Sequence, residues 1–206
     1  MGVKERFVGS IEYLRKLGFF EDYANLTSEE IFKKISEMKT FLKNLDEEGH
    51  LWMGKSIFEI DRCIALFDNK RVWGVESEYY VTRPQPGVGL HFLNKLAGIS
   101  RGVFQPIIIR EECKTEKNAE GRPNSGYCRV YFTFRGREEV VEFLWDWKNG
   151  WDFLPALQKL NQILKGTGYR YYRIYELGVY YFIVLRPWEV GKLKKERRWD
   201  LVTGWL

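Results

Sequence analysis

The run YCRVYFTFRGREEVVEFLW (127–145) constrains this chain more than any other stretch. Apolar and polar residues alternate on both sides of a Gly-containing break, the signature of two half-buried strands joined by a tight turn. Taking Gly136-Arg137 as a two-residue loop puts glycine first, as a type II′ turn requires. That register pairs Phe132 with Val141 and Val130 with Phe143 on the core face. Thr133 then faces Val140, and Tyr131 faces Glu142, on the other side.

Further strand patterns surround this hairpin. VFQPIIIREEC (103–113) precedes it, separated by a polar loop, KTEKNAEGRPNSG (114–126), that is long for a hairpin connection. YRYYRIYELGVYYFIVLR (169–186) is a second hairpin, turning near Leu177-Gly178. Between the hairpins, WDFLPALQKLNQILKGTG (151–168) reads as a helix with Asp152 as cap and Pro155 in its first turn. A basic helix from about Trp188 closes the chain.

The first third is helical in pattern. Val3, Phe7, Ile11 and Leu14 recur at helical spacing over Val3–Leu17, and Gly18 is a natural stop. In LTSEEI (26–31), Thr27 and Glu30 have the capping-box spacing, and Leu26 and Ile31 stand where a hydrophobic staple needs them. Ile31, Ile35, Met38, Leu42 and Leu45 continue one apolar stripe. A third helix is expected from Ser56, an extended stretch over 71–81, a Pro/Gly hinge at 82–89 and a short helix carrying Leu90, Leu93 and Ala97.

From 88 onward the order is α-β-β-β-α-β-β-α. The fold class is α+β, with a helical N-terminal third followed by a mostly antiparallel sheet. The expected division is 1–54 as a helix pair and 55–206 as an α+β domain, with one continuous domain as the alternative.

Composition narrows the function classes. A net charge of +5, from 33 basic and 28 acidic residues, permits an anionic partner without implying one. Lys192, Lys194, Lys195, Arg197 and Arg198 form the clearest cationic cluster and read as a solvated helix face. Cys63, Cys113 and Cys128 are odd in number and far apart, so no disulfide framework or CxxC metal motif is expected. The chain lacks a leader pattern and any apolar run near the ~20 residues needed to span a bilayer, so a soluble, cytoplasmic protein is expected.

Chemistry-bearing patterns are sparse. His50 and His91 are the only histidines, and GxSxG, HExxH and P-loop motifs are absent. GVGLHF (87–92) carries only part of a dinucleotide fingerprint. Two acid-x-lysine pairs stand at strand ends: Glu112 with Lys114, and Asp146 with Lys148. An acid two residues before a lysine shares its face of a strand, so the pair can hold Mg²⁺ and stabilise developing negative charge. These pairs resemble the last part of the signature of restriction-endonuclease-like nucleases, whose core order α-β-β-β-α-β is similar to the order read here. The resemblance implies a catalytic set of Asp146, Lys148, Glu112 and Lys114 with Mg²⁺. It is incomplete, because SGYCRVYFTF (125–134) lacks the further acid that such enzymes carry near the second strand. Glu76, Glu78, Glu111 or Glu112 would have to supply it.

The reading preferred on the residues is a non-enzymatic interaction module with no cofactor and no metal. Aromatic residues make up 17% of the chain, more large rings than burial alone usually requires. In the second hairpin Tyr171, Arg173, Tyr175, Tyr180 and Phe182 interleave rings with charge, and Trp199 opens an apolar tail. These six are the candidate binding residues. A protein partner or self-association is favoured, nucleic acid is the alternative, and a membrane is not expected. Asn161, beside the apolar stripe of its helix, is read as an amide tying helix to sheet.

Overall fold

A computed structural model of the chain describes residues 2–38, 57–75, 82–176 and 179–203. The elements are α1 (Val3–Arg15), a 3₁₀ turn (Glu21–Tyr23), α2 (Ser28–Met38), α3 (Ile57–Ala65), β1 (Val72–Gly74), α4 (Val88–Gly98), β2 (Ile107–Lys117), β3 (Pro123–Phe134), β4 (Arg137–Asp146), β5 (Gly150–Asp152), α5 (Leu154–Ile163), β6 (Arg170–Glu176), β7 (Val179–Leu185) and α6 (Pro187–Arg197). The α+β class and the order of helices and antiparallel strands agree with the sequence pattern. Leu42, Leu45, His50, Ser56, Glu76 and Glu78 lie outside the described residues.

The strands form two sheets where one layer was expected: β2-β3-β4-β5 and β1-β7-β6. The β3–β4 hairpin turns one residue earlier than the II′ reading places it. Arg135 and Gly136 both have positive φ, 52° and 73°, which is the type I′ arrangement with glycine second. Phe134 therefore pairs with Arg137, Val130 with Val141, and Phe132 with Glu139. Every cross-strand partner moves by two residues relative to the expected register. A shift of two preserves the alternation of faces, so Val130, Phe132, Val141 and Phe143 are still all buried. Glu139, near the turn, meets Lys159 of α5 at 2.7 Å.

The polar stretch 114–126 is mostly strand. β2 runs to Lys117 and β3 begins at Pro123, leaving a short connection. Asn118 organises it, its Oδ1 accepting the N–H groups of Glu120 and Arg122. Polarity alone gives this stretch the look of a loop in the sequence. The outer face of this sheet is solvated, and strands there carry charge as readily as loops do.

The three-stranded sheet separates two cores. One face of β6 and β7 presents Tyr172, Ile174, Ile183 and Leu185 to α1, α2, α3 and α6. The other presents Tyr171, Phe182 and Val184 to α4, α5 and the inner face of the four-stranded sheet. The α2 start behaves as its sequence requires: Glu30 N–H donates to Thr27 Oγ1 at 3.2 Å, and Thr27 N–H to Glu30 Oε2 at 2.7 Å. α5 starts at Leu154, whose N–H donates to Asp152 Oδ1 at 2.9 Å, while Trp151 and Asp152 belong to β5.

The open edge of β6 is covered from two sides. The Asn161 side chain bonds both backbone groups of Tyr171. Val202 of the C-terminal tail bonds both backbone groups of Arg173, at 2.8 and 3.1 Å. Trp199 and Leu201 are buried beside the helical core, so the tail docks on its own chain. Among the described residues no helix is long and apolar enough to cross a membrane.

Candidate binding cleft

Where the β4–β5 turn approaches the face of β6 and β7, a cleft of about 630 Å³ opens. That size falls in the usual range of ligand sites, roughly 300–1,000 Å³. The turn is shaped by Asp146. Its Oδ1 accepts the N–H groups of Lys148 (2.9 Å) and Asn149 (3.0 Å) and the Asn149 side-chain amide (3.0 Å). Gly150 follows with φ 73°, returning the chain antiparallel to β4.

The floor is aromatic: Trp145, Trp151, Phe153 and Phe182 are each at most 7% exposed. Trp151 Nε1 donates to the Thr82 carbonyl at 2.9 Å, which locks that ring. Trp145 Nε1 is buried without an acceptor among the described residues. The wall holds Arg173, whose guanidinium carbon sits 4.4 Å from the Tyr180 ring centre. Among the described residues Arg173 forms no ion pair with a carboxylate. Among the described residues that line the cleft, it is the only basic one.

The acids at the rim are occupied. Asp146 holds the turn, Asp152 accepts from the first amide of α5, and Glu116 pairs with Lys114 at 3.3 Å and accepts from Ser125 at 3.2 Å. Among the described residues, the floor therefore holds one buried donor without an acceptor, Trp145 Nε1, and the wall holds a half-buried Arg173 without a carboxylate partner. A buried donor such as the Trp145 indole N–H costs free energy until something accepts from it.

The residues singled out by sequence fall in several places. Arg173, Tyr180 and Phe182 meet Asp146 in the cleft. Tyr171 is fully buried, its hydroxyl donating to the Leu96 carbonyl at 2.7 Å, and burial holds that hydroxyl's pKa far above its ordinary value. Trp199 lies in the helical core with its ring edge-on to Phe19. Both rings are thus buried within the chain, Tyr171 on the covered face of β6 and Trp199 among the helices. The Tyr175 side chain is outside the described residues.

The acid-x-lysine residues do not gather. Asp146 pairs with Ser125, which pairs with Glu116, whereas Glu112 pairs with Arg129, which pairs with Glu142. Glu112 and Asp146 are thus two strands across and four residues along, roughly 16 Å apart. Glu112 instead accepts from the hydroxyls of Tyr127 and Tyr131. Lys148 is exposed, with its ammonium 5.9 Å from the Trp147 ring centre.

Sequence reading missed the cleft's tryptophans, although Trp145 sits beside Asp146 at a strand end where alternation turns it inward. It also missed that Cys113 and Cys128 are bonded. They stand 15 positions apart in sequence, but pairing of β2 with β3 sets them directly opposite each other. Glu111 lies beside them, and these three are the one group of metal-ligand side chains found among the described residues. No protein-family model, curated protein or solved structure matches the chain.

Proposed function

We propose that the protein is a non-enzymatic interaction module whose cleft receives a segment of another protein. The segment lays an apolar or aromatic side chain on the Trp151–Phe182 floor and directs a carboxylate or carbonyl toward Trp145 Nε1 and Arg173. The observation that supports this reading is a ring-lined floor that includes the Trp145 indole, unpartnered among the described residues, beside the half-buried Arg173 stacked on Tyr180. Aromatic and arginine side chains of this kind supply much of the energy at protein interfaces.

Nucleic acid is the less favoured partner. The exposed arginines of the outer sheet face are matched by acids, Arg110 with Glu112 and Arg129 with Glu142, so that face carries little net charge for phosphates to meet. The cytoplasmic assignment rests on composition. In a reducing compartment the Cys113–Cys128 pair would be held as thiols.

The test is a peptide-display selection on the intact chain, counter-screened with Arg173→Glu and Tyr180→Ala. Selected peptides should carry an acidic residue or free carboxylate next to a large apolar one, and both variants should lose them. Peptides that bind wild type and both variants equally would refute the reading. Binding to single-stranded DNA that weakens steeply with salt would favour the nucleic-acid alternative.

A further inference from the structure

We infer that in the dithiol state Cys113, Cys128 and Glu111 form a site for a soft divalent cation of the zinc class. The site is separate from the cleft and does not depend on its function. Three pieces of backbone converge on it. Cys113 of β2 and Cys128 of β3 are direct cross-strand partners, with Cα atoms 4.2 Å apart. Glu111, two residues before Cys113, shares its face of the strand. The carboxylate and the two sulfurs lie within 4.8 Å of one another.

The loop leading into α4 covers the cluster. The Gln85 carbonyl oxygen stands 3.2 Å from Cys113 Sγ and 3.8 Å from Cys128 Sγ. Glu111 accepts the N–H groups of Gly87 (2.5 Å) and Leu90 (3.0 Å), which fixes its carboxylate at the start of the helix. Gly89 allows the close approach. A Cβ there would meet Cys128 Cβ at 2.8 Å and Glu111 Oε1 at 2.9 Å. The donors are thus held by β2, β3 and α4 together, which is the preorganisation a metal site needs.

The chemistry balances simply. Two equivalents of an external thiol, or one dithiol, reduce the disulfide to two thiols and are themselves oxidised to a disulfide. Each thiol then releases a proton as it binds the cation. Two thiolates favour zinc over hard ions such as Mg²⁺. Zn–S bonds of about 2.3 Å in tetrahedral geometry require sulfurs about 3.8 Å apart, a separation that opposed residues on paired strands reach by side-chain rotation. Glu111 supplies the third donor, and the Gln85 carbonyl or water completes the set. Oxidation removes two of three side-chain donors, so occupancy follows the redox state.

The test uses the intact chain in a Cys63→Ala background, either oxidised or reduced with a phosphine that is then removed without air. Zinc affinity is read by competition with a chromophoric chelator, and Co²⁺ is added to detect thiolate-to-cobalt charge-transfer absorption. The reduced protein should bind one zinc per chain and show that absorption, and the oxidised protein should do neither. Cys113→Ser should abolish the absorption, and Glu111→Gln should weaken zinc by about tenfold or more while leaving the disulfide able to form. Equal zinc binding by oxidised and reduced protein, or none by either, would overturn the site. Unchanged affinity in Glu111→Gln would overturn the role of the carboxylate. The comparison of oxidised with reduced protein in the Cys63→Ala background holds even if a further variant folds poorly.

Discussion

Asn161 acts as a strand for Tyr171. Its amide nitrogen donates to the Tyr171 carbonyl at 3.0 Å, and its carbonyl oxygen accepts the Tyr171 N–H at 2.7 Å. A single side chain on α5 thereby supplies the two bonds that a neighbouring strand would supply. Two residues further on, Val202 does the same for Arg173 through its backbone. The edge of β6 is thus covered at Tyr171 and Arg173 without another strand, which blunts a template for unwanted pairing.

Replacing Asn161 with alanine leaves a donor and an acceptor of β6 without partners. Stability should fall by about 2–3 kcal/mol, read from urea unfolding midpoints at unchanged slope. Amide exchange at Tyr171 should accelerate more than at Ile183 in the sheet centre. Equal exchange at both positions would contradict the assignment.

Deleting 199–206 should cost more, because it also exposes Ile174-side core now covered by Trp199 and Leu201. Burial of two such side chains is worth about 3–6 kcal/mol. The truncated chain should also self-associate through the opened β6 edge, visible as a concentration-dependent mass in sedimentation. A stable monomer after truncation would show that the tail is dispensable.

Arg71 and Glu189 are buried partners, 3.2 Å apart, and Arg101 adds a second contact to Glu189 at 2.9 Å. Arg71 also donates to the Leu17 carbonyl at 2.6 Å, and Arg186 N–H at the start of α6 donates to Glu189. Burial lowers the Arg71 pKa, with Glu189 opposing it. Removing one partner strands a charge, so Arg71→Met or Glu189→Gln should each destabilise by about 3–5 kcal/mol. The double variant should lose much less than the sum. Additive losses in the cycle would mean the pair is not coupled.

Asp61 gives the fold a pH signature. It is fully buried, with Arg197 Nε 3.0 Å from its carboxylate. Burial pushes its pKa up to about 6, against the opposing pull of Ser10 and the arginines beside it. The folded state therefore holds the proton more tightly than the unfolded state. This contribution to stability is full below the unfolded value near 4 and declines as pH rises through 6. Asp61→Asn should be more stable than wild type at pH 7, by roughly 1–3 kcal/mol, and should lose that advantage near pH 4. A constant difference across this range would place the titration elsewhere.

Alternation and turn chemistry made much of the fold legible. The hairpin strands, the Thr27–Glu30 cap and the Asn161 bridge all follow from local rules that packing did not override. The turn at 135–136 did not, because Arg-Gly and Gly-Arg both satisfy a two-residue loop, and choosing between them needs the partners Arg129–Glu142 and Lys159–Glu139. The division into two sheets was also hidden. Tyrosine-rich strands read the same whether their rings meet solvent or a second core, as Tyr171 and Tyr172 do on opposite faces of β6. The Cys113–Cys128 bond depends on register alone, and no spacing in the chain announces it.

In the proposed function, Trp145 Nε1 and Arg173 receive an acceptor from a bound peptide. Nitrogen–proton correlation spectra of the indole groups, recorded while a selected acidic peptide is added, test it most directly. The Trp145 Nε1–H signal should shift downfield, the Trp73 and Trp199 signals should stay in place, and the effect should be lost in Arg173→Ala. A still Trp145 signal with shifts at the exposed Trp147 or Trp188 would contradict it.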